Sequence, residues 1–410
     1  KLCCPTSQFS KPDVLGAIYR VRRTTAPKVE DPRGRRIDWK SQSDQSLAAL
    51  LGDDRPAVRR RAVETLARRP ASAIPAIQEV LTHSSSTEAR RQAVWTACRI
   101  DGPEARAVVR LALKDQDETV RQAALHAISV RADRGAVEEL LPLLAGSSQH
   151  NRRAAAEALG RLGDARAVPA LLQAASDEAN DRALDHSITY ALIEIGDVRA
   201  TLPGLRLPSG RARSIALIAL DQMDTRSLAP ELVIGRLDSA DSHERDIAAW
   251  VLTHHPGWSP SLGGVLSQRL AQADDSLTAE RRRVLVSLLA RFAGSEQVAS
   301  LLARTLEGGA GGAARSIALE AMAESGLREA RPIWLDGLAR LLNQAAAQGE
   351  EPLARQALAV LRGVPPGKGD HAALADALRA VGATKTLDNA IRLQALAAVP
   401  GGLRRLDPPI

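Results

Sequence analysis

Aromatic side chains and cysteines are scarce in this chain of 410 residues, and both shortages restrict what it can do. Phe, Trp and Tyr make up 2% of the sequence, and its three cysteines are Cys3, Cys4 and Cys98. Three cysteines without a C-x-x-C or C-x-x-C-H spacing exclude a cysteine-based zinc site and a covalently attached haem within the chain. No uncharged apolar run reaches the roughly eighteen residues of a spanning helix. We therefore expect no membrane insertion by this chain.

The positive charge is concentrated at one end. The formal net charge is +7, but residues 1–40 alone hold ten Lys or Arg against four Asp or Glu. The remaining residues are nearly neutral, which argues against a nucleic-acid partner because phosphate binding needs a clustered basic surface. The sequence has neither an initiator Met nor a signal-peptide pattern, so we interpret it as a fragment of a longer protein.

The composition changes at about residue 43. Residues 1–43 are rich in Pro, Gly and Arg, and one stretch around Ile18–Val21 alternates in the period-two manner of a strand. One strand cannot fold alone, so we expect residues 1–40 to be loosely held and open to proteolysis. Residues 44–399 contain blocks of helix-forming residues separated by Gly, Pro, Asp and Ser, which predicts an all-helical region. Residues 400–410 are expected to be a tail.

The helical blocks repeat. An Arg followed by a small or apolar residue at +3 and an apolar one at +7 recurs at a spacing of 31 residues three times in succession, and then more loosely. Between the fourth and fifth copies the same frame falls on Leu184, so one copy lacks its Arg. The arginines of this frame are Arg59, Arg90, Arg121, Arg152, Arg213, Arg245, Arg315 and Arg392.

A unit of 31 residues holds two short helices, whose apolar faces can be buried only against neighbouring units. The pairs, with a Pro such as Pro142 or Pro169 in the first helix and an Asp or Asn opening the second, resemble HEAT repeats. We predict an all-α fold, an α/α superhelix of roughly eleven helix pairs preceded by a short extended segment. Positions such as Ala93 and Ala155 should lie in its core. At about 9–10 Å per layer the stack would be a curved rod on the order of 100 Å long.

The recurring Arg has two interpretations. An Arg one turn after an acidic residue, as in Asp54 with Arg59 and Asp117 with Arg121, can tie each turn to its own repeat or to the next. Alternatively, the arginines could line a groove that binds anions. The near-neutral charge of the repeats favours the first interpretation, a structural ladder.

No motif predicts a cofactor or metal in this chain. His243-Glu244 resembles the His-Glu pairs of helical-repeat di-iron hydroxylases, which need several such pairs, and there is no H-E-x-x-H. The glycines of 308–312 lack a Lys-Ser/Thr end and indicate a flexible turn. The large aromatics cluster with histidines where a helix closes at 254–258, which suggests either a helix cap or a surface for a partner. The residues of this possible surface are His186, Tyr190, Trp250, His254 and Trp258.

Two sets of segments carry a more specific resemblance: 3–8, 11–22 and 31–39 before the repeats, and 185–197, 250–258 and 288–292 within them. The first set resembles the segment that links a β-propeller to HEAT repeats in the membrane-bound-dehydrogenase-like proteins of planctomycetes, and the second set is similar to the middle region of that family. In these proteins a cytochrome c domain follows the repeats. The resemblance implies that residues 1–43 contain the propeller's exit strand. It also implies an extracytoplasmic, bacterial protein whose quinone and haem chemistry belongs to the flanking domains.

These observations favour a non-catalytic scaffold or protein-interaction module whose partner is a protein or the flanking propeller and cytochrome domains. No catalytic residue can be assigned to this chain from the resemblance. The alternative is a helical-repeat enzyme, such as a lyase, with its ligand in a concave groove. The absence of strands that could carry phosphate-binding or nucleophile loops counts against that alternative.

Overall fold

A computed structural model describes residues 25, 27–146, 148–223, 228–307, 311–369 and 371–402. Within these residues every regular element is a helix. The chain forms two compact units, residues 1–127 and 128–410. The predicted strand at Ile18–Val21, part of the glycine-rich turn at 308–312 and most of the tail at 400–410 lie outside the described residues.

The first unit contains three helix pairs, α1/α2, α3/α4 and α5/α6, and its second helices α2 and α4 pack on each other. Several first helices pass into a 3₁₀ turn before the second helix begins, as at Leu50–Gly52. The helices are α1 (Asp44–Ala49), α2 (Pro56–Ala67), α3 (Pro70–His83), α4 (Thr87–Cys98), α5 (Pro103–Leu111) and α6 (Glu118–Arg131), the last of which continues into the second unit.

The second unit continues the same pattern with eight further pairs, α7/α8 to α21/α22. Its second helices α8, α10, α12, α14, α16, α18 and α20 pack in sequence, each on the next. The twenty-two α-helices of the described residues thus form eleven consecutive pairs, as the repeat predicts. The helices are α7 (Val137–Leu140), α8 (Gln149–Leu162), α9 (Val168–Ala174), α10 (Arg182–Ile195), α11 (Val198–Thr201), α12 (Gly210–Met223), α13 (Pro230–Ile234), α14 (Ser242–His254), α15 (Ser259–Ala271), α16 (Ala279–Phe292), α17 (Glu296–Leu306), α18 (Gly312–Glu324), α19 (Pro332–Gln348), α20 (Glu351–Gly363), α21 (Ala372–Ala383) and α22 (Asn389–Ala397).

Side-chain caps fix where many second helices begin. Ser86, Ser148 and Asp241 each accept a hydrogen bond from the backbone N–H three residues later. Such a cap satisfies one of the N–H groups that an α-helix leaves unpaired at its start. In the first helices, Pro142 lies where the α-helix α7 gives way to a 3₁₀ turn, so the proline marks a change in helix geometry.

Small residues let the second helices approach one another closely. Ala93, Ala124 and Ala155 are fully buried, as the repeat frame predicts. Gly160 lies where α8 meets α10, and a Cβ atom added there would stand 2.7 Å from the Cα of Ala191. A side chain of any size at residue 160 would therefore push two helix backbones apart.

The end of the segment that precedes α1 is folded against the helices, which corrects, for residues 34–39, the expectation that residues 1–40 are loosely held. Trp39 is buried, and its indole N–H donates to the carbonyl of Gly34 at 2.8 Å. The guanidinium of Arg61 in α2 lies 4.7 Å from the centre of the Trp39 ring, within the range of a cation–π contact. Gly34 has a positive φ of 59° and lies against Val58. The end of the predicted linker therefore covers the first layer of helices.

Gly160→Ala tests the close approach of α8 and α10. Overpacking costs about 1–3 kcal/mol, and the higher helix propensity of Ala returns less than about 1 kcal/mol. We expect a lower urea midpoint for this variant. Gly264→Ala is the matched control because Gly264 also lies inside a helix, α15, and a Cβ there meets nothing within 4 Å. That substitution should stabilise the protein slightly, and equal midpoints for the two variants would contradict the packing described here.

Candidate functional site

One position in the second helices is occupied by Arg in nine of eleven pairs. It is the fourth residue after the N-cap. In every pair the backbone N–H of this residue donates to the carbonyl of the N-cap residue, so the position is defined by the first hydrogen bond of the helix. The residues at this position, in chain order, are Arg59, Arg90, Arg121, Arg152, Asp185, Arg213, Arg245, Arg282, Arg315, Ala354 and Arg392.

Most of these arginines bind the turn of their own repeat. The Nη1 of Arg90 donates to the carbonyl of Ser84 at 2.9 Å, and Arg213 donates to the carbonyl of Leu207 at 2.8 Å. In both cases the acceptor lies six residues earlier, just after the first helix. The last carbonyl groups of a helix lack partners within it, so the guanidinium satisfies acceptors that would otherwise depend on water.

Five of the arginines that bind their own turn also reach an acidic group of the following repeat: Arg59, Arg90, Arg152, Arg213 and Arg245. Arg90 forms two hydrogen bonds with the carboxylate of Asp115, at 2.8 and 3.1 Å, and both side chains are buried. Arg152 pairs with Asp177 at 2.9 Å. Each guanidinium therefore joins three parts of the stack, namely its own helix, the turn before it and the next repeat. We call this arrangement the arginine clamp.

Glu244 is the most buried acceptor of a clamp, with 1% of its side chain exposed. Its Oε2 accepts from Arg213 at 2.7 Å and from the Ser239 hydroxyl at 2.5 Å, and its Oε1 accepts from Arg236 at 2.8 Å. Burial raises the pKa of Glu244, but the hydrogen bonds from Arg213, Ser239 and Arg236 outweigh it and hold the pKa below its ordinary value. Both oxygens of the acidic member of His243-Glu244 are therefore engaged by the clamp.

The eight arginines of the predicted ladder all occupy this position, but Arg59 and Arg121 have different partners from those inferred from the sequence. Arg59 donates to the carbonyl of Asp53 and pairs with Glu88, not with Asp54. Arg121 donates to the carbonyls of Asp115 and Gln116 instead of pairing with Asp117.

The repeat frame inferred from the sequence also needs two corrections. The copy without Arg is centred on Asp185, not on Leu184, because Asp181 is the N-cap of α10. Arg282 was missed because a longer repeat precedes it, and it binds Ser316 and Glu320 of the next repeat. For Arg315, the residue six positions earlier lies outside the described part of the chain.

At Asp185 the clamp is built with its charges exchanged. Arg211, from the following repeat, pairs with Asp185 at 3.2 Å and donates to the carbonyl of Asn180 at 2.7 Å. The guanidinium thus still connects a turn carbonyl and a carboxylate across two repeats, but here the following repeat supplies the arginine and the preceding repeat supplies the carboxylate. Burial raises the pKa of Asp185, and the positive charge of Arg211 opposes this effect.

The predicted partner surface is partly brought together. Tyr190 on α10 and Trp250 on α14 are exposed by 49% and 41%. Each is the ninth residue after its N-cap, and half-buried Ile218 holds the same position on α12, which packs between α10 and α14. Tyr190, Ile218 and Trp250 therefore follow one another across three neighbouring helices. We call these three side chains the aromatic row.

The histidines of that surface support the row. The ring of His186 lies parallel to that of Tyr190, with centroids 6.4 Å apart, and the ring of His254 lies 4.4 Å from that of Trp250. His254 also contacts the Trp250 carbonyl through Nδ1 at 2.8 Å, which agrees with a helix-closing role.

Trp258 has a different environment. It stacks on His255 with ring centroids 4.0 Å apart, and His255 contacts the buried carboxylate of Asp221 through Nε2 at 2.5 Å. Trp258 therefore packs on a His255 ring that is held by buried Asp221, and not on the row. The sequence analysis overlooked Ile218, whose only signal is its position relative to the N-cap.

Two further properties concern the described helices as a whole. None of them is long and apolar enough to cross a lipid bilayer. Among the described residues, no three His, Cys, Asp or Glu side chains converge in a way that could hold a metal ion.

Comparison with known proteins identifies the repeats. A family model described as HEAT repeats matches residues 44–129 and 108–193. No curated protein is significantly similar to the chain in sequence. The structure is similar to that of Kap121p, with 14% identity over 87% of this chain and a TM-score of 0.51, and to a multiply substituted Kap121p at 14% identity over 86% and a TM-score of 0.53. The chain spans 45% of each of those chains. The fold is an all-helical HEAT-repeat solenoid.

Glu244→Gln tests the clamp and its dependence on pH. The amide has no negative charge and replaces one acceptor oxygen with an NH2 donor, so one of Arg213 and Arg236 loses its acceptor and both lose the ion pair, which should cost about 3 kcal/mol at pH 7. Because the pKa of Glu244 is lowered by folding, its charged form stabilises the protein above the unfolded pKa of about 4.3, and this stabilisation is lost as the pH falls through the folded-state pKa. Urea unfolding should therefore show a gap between wild type and variant at pH 7 that narrows below about pH 4.

Glu231→Gln is the control for this experiment, since Glu231 is exposed on α13. It should leave the urea midpoint nearly unchanged at both pH values. A Glu244→Gln variant as stable as wild type at pH 7 would show that the clamp contributes nothing.

Proposed function

We propose that this HEAT-repeat solenoid is a non-catalytic scaffold that binds a protein partner across the exposed face of its second helices in the unit 128–410. The aromatic row is the anchor of that surface. Its support is the presence of two large, exposed aromatic side chains at one register, in a protein with few aromatics overall. Soluble proteins rarely expose neighbouring large apolar side chains unless they form an interaction site.

The spacing of the row suits an extended peptide segment. Stacked helices are about 9–10 Å apart, and an extended chain in the polyproline II conformation advances about 3.1 Å per residue and returns every third side chain to the same face. A segment that crosses α10, α12 and α14 would therefore present one side chain to Tyr190, Ile218 and Trp250 about every three residues. Aromatic residues at the centre of an interface supply most of the binding energy, while their neighbours exclude water.

We further propose that the parent protein places this scaffold between a dehydrogenase-like propeller and a haem domain outside the cytoplasm. This proposal is supported by the sequence resemblance of residues 1–43 and of the segments near His186 and His254. Sequencing the flanks of the gene tests it directly. A propeller upstream and a C-x-x-C-H motif downstream are the expected result, and flanks with neither would reject it.

Peptide-display selection on the purified chain tests the binding surface. Selected peptides should lose at least tenfold in affinity for Tyr190→Ala or Trp250→Ala, since truncating an interface anchor costs about 1–2 kcal/mol or more. The matched control is Ile333→Ala, because Ile333 is 52% exposed but lies on a first helix, α19. Fluorescence anisotropy of labelled peptides gives the affinities. Peptides that bind all of these variants equally would reject the aromatic row as the site.

A further inference from the structure

The second helices of the first unit present a different chemistry on the corresponding face. Arg91 and Trp95 on α4 and Arg99, the helical C-cap residue that follows it, are spaced four residues apart and therefore lie on one side of the helix. Trp95 is half-buried and occupies the ninth position after its N-cap, which is the position that Tyr190 and Trp250 occupy in the other unit.

The neighbouring helix α2 adds two more guanidinium groups beside this tryptophan. Arg60 and Arg68 are exposed and hold the same positions relative to the N-cap of α2 as Arg91 and Arg99 hold on α4. The two helices pack on each other, and Arg59 of α2 forms an ion pair with Glu88 of α4. Four arginines thus share the corresponding faces of the two helices with Trp95 and the exposed Glu64, a group we call the arginine frame.

The frame differs from the clamp because most of its arginines have no structural partner. Arg60, Arg68 and Arg99 form no ion pair with the residues that the structure describes, whereas Arg91 shares Glu88 with Arg59. Counting Arg59, five guanidinium groups face two carboxylates, Glu64 and Glu88. This local excess of positive charge around an aromatic ring is left over after the fold's own ion pairs have formed.

We propose that the arginine frame binds an acidic protein segment that carries an aromatic or other large apolar side chain. The carboxylates of the segment would pair with Arg60, Arg68 and Arg99, and its apolar side chain would cover Trp95. Arg forms bidentate hydrogen bonds with carboxylates, which gives such a surface both affinity and orientation. Glu64 lies in the middle of the frame, where it would repel the evenly charged backbone of a nucleic acid. A peptide whose carboxylates are separated can place an uncharged residue opposite Glu64.

This surface is independent of the aromatic row, because it belongs to the other unit and shares no residue with it. The probe is a fluorescein-labelled peptide of Asp and Glu residues around one Phe, titrated with the full chain in fluorescence anisotropy at 50 and 300 mM NaCl. We expect binding at low salt that weakens at high salt, as for exposed charges. A single-stranded oligothymidylate of equal net charge is titrated in parallel.

Three variants make the test specific. Arg68→Ala combined with Arg99→Ala should weaken peptide binding at least tenfold, and Arg68→Lys with Arg99→Lys should retain an intermediate affinity because the charge remains. The control, Arg281→Ala with Arg283→Ala, removes the same charge from exposed positions of α16 and should bind as wild type. A control that weakens binding as much as the frame variant would overturn the proposal, and so would preferential binding of the oligonucleotide. Variants with unchanged circular dichroism and urea midpoints exclude misfolding as the cause.

Discussion

The stack depends on how the carbonyl groups at the end of each first helix are satisfied. A short helix leaves several carbonyls without partners, and a two-helix repeat places them at a turn that is half covered by the next layer. An Arg four residues into the second helix solves this problem because its planar guanidinium has donors on two sides. One side binds the turn carbonyl and the other binds a carboxylate of the following repeat, as Arg90 does with Ser84 and Asp115. Burial of that pair is tolerable since both partners are fully hydrogen-bonded.

Most of the architecture could be predicted from the sequence because the repeat is carried by backbone and core requirements that recur every 31 residues. The small residues that allow close helix contact, such as Ala93 and Ala155, were predicted correctly for this reason. The errors came where the chain departs from strict periodicity. The longer repeat before Arg282 concealed its equivalence, and at Asp185 the exchanged charge led to a frame displaced by one residue. The N-cap residue sets where each second helix begins and therefore which residue holds the clamp position. The sequence contains many Ser and Asp residues, so the N-caps could not be located reliably from it.

The candidate surfaces were only partly predictable for a related reason. Whether an aromatic residue is exposed depends on its position relative to the N-cap, and nearby residues in the sequence can face opposite ways. Trp250 lies on the exposed side of α14, whereas Trp258 stacks on His255 after that helix has ended. Burial of Trp39 was missed because its partner, Arg61, belongs to the first repeat and no periodic pattern connects the two.

The clamps are distributed unevenly along the second unit. From α8 to α16 each layer is tied to its successor by a guanidinium or, at Asp185, by the exchanged pair. In α20 the clamp position holds Ala354, and Arg392 in α22 bonds to Gly382 of its own repeat. Among the described residues, the last layers are therefore joined without a clamp, by apolar packing and by single hydrogen bonds such as that from the Asp388 N–H to Glu351. The stability of a solenoid is approximately a sum of terms between neighbouring layers, so local unfolding of this unit would begin at the layers near residue 400 and proceed towards the clamped layers. The C-terminal layers are therefore the compliant part of the unit, and the clamped layers are its stiff part.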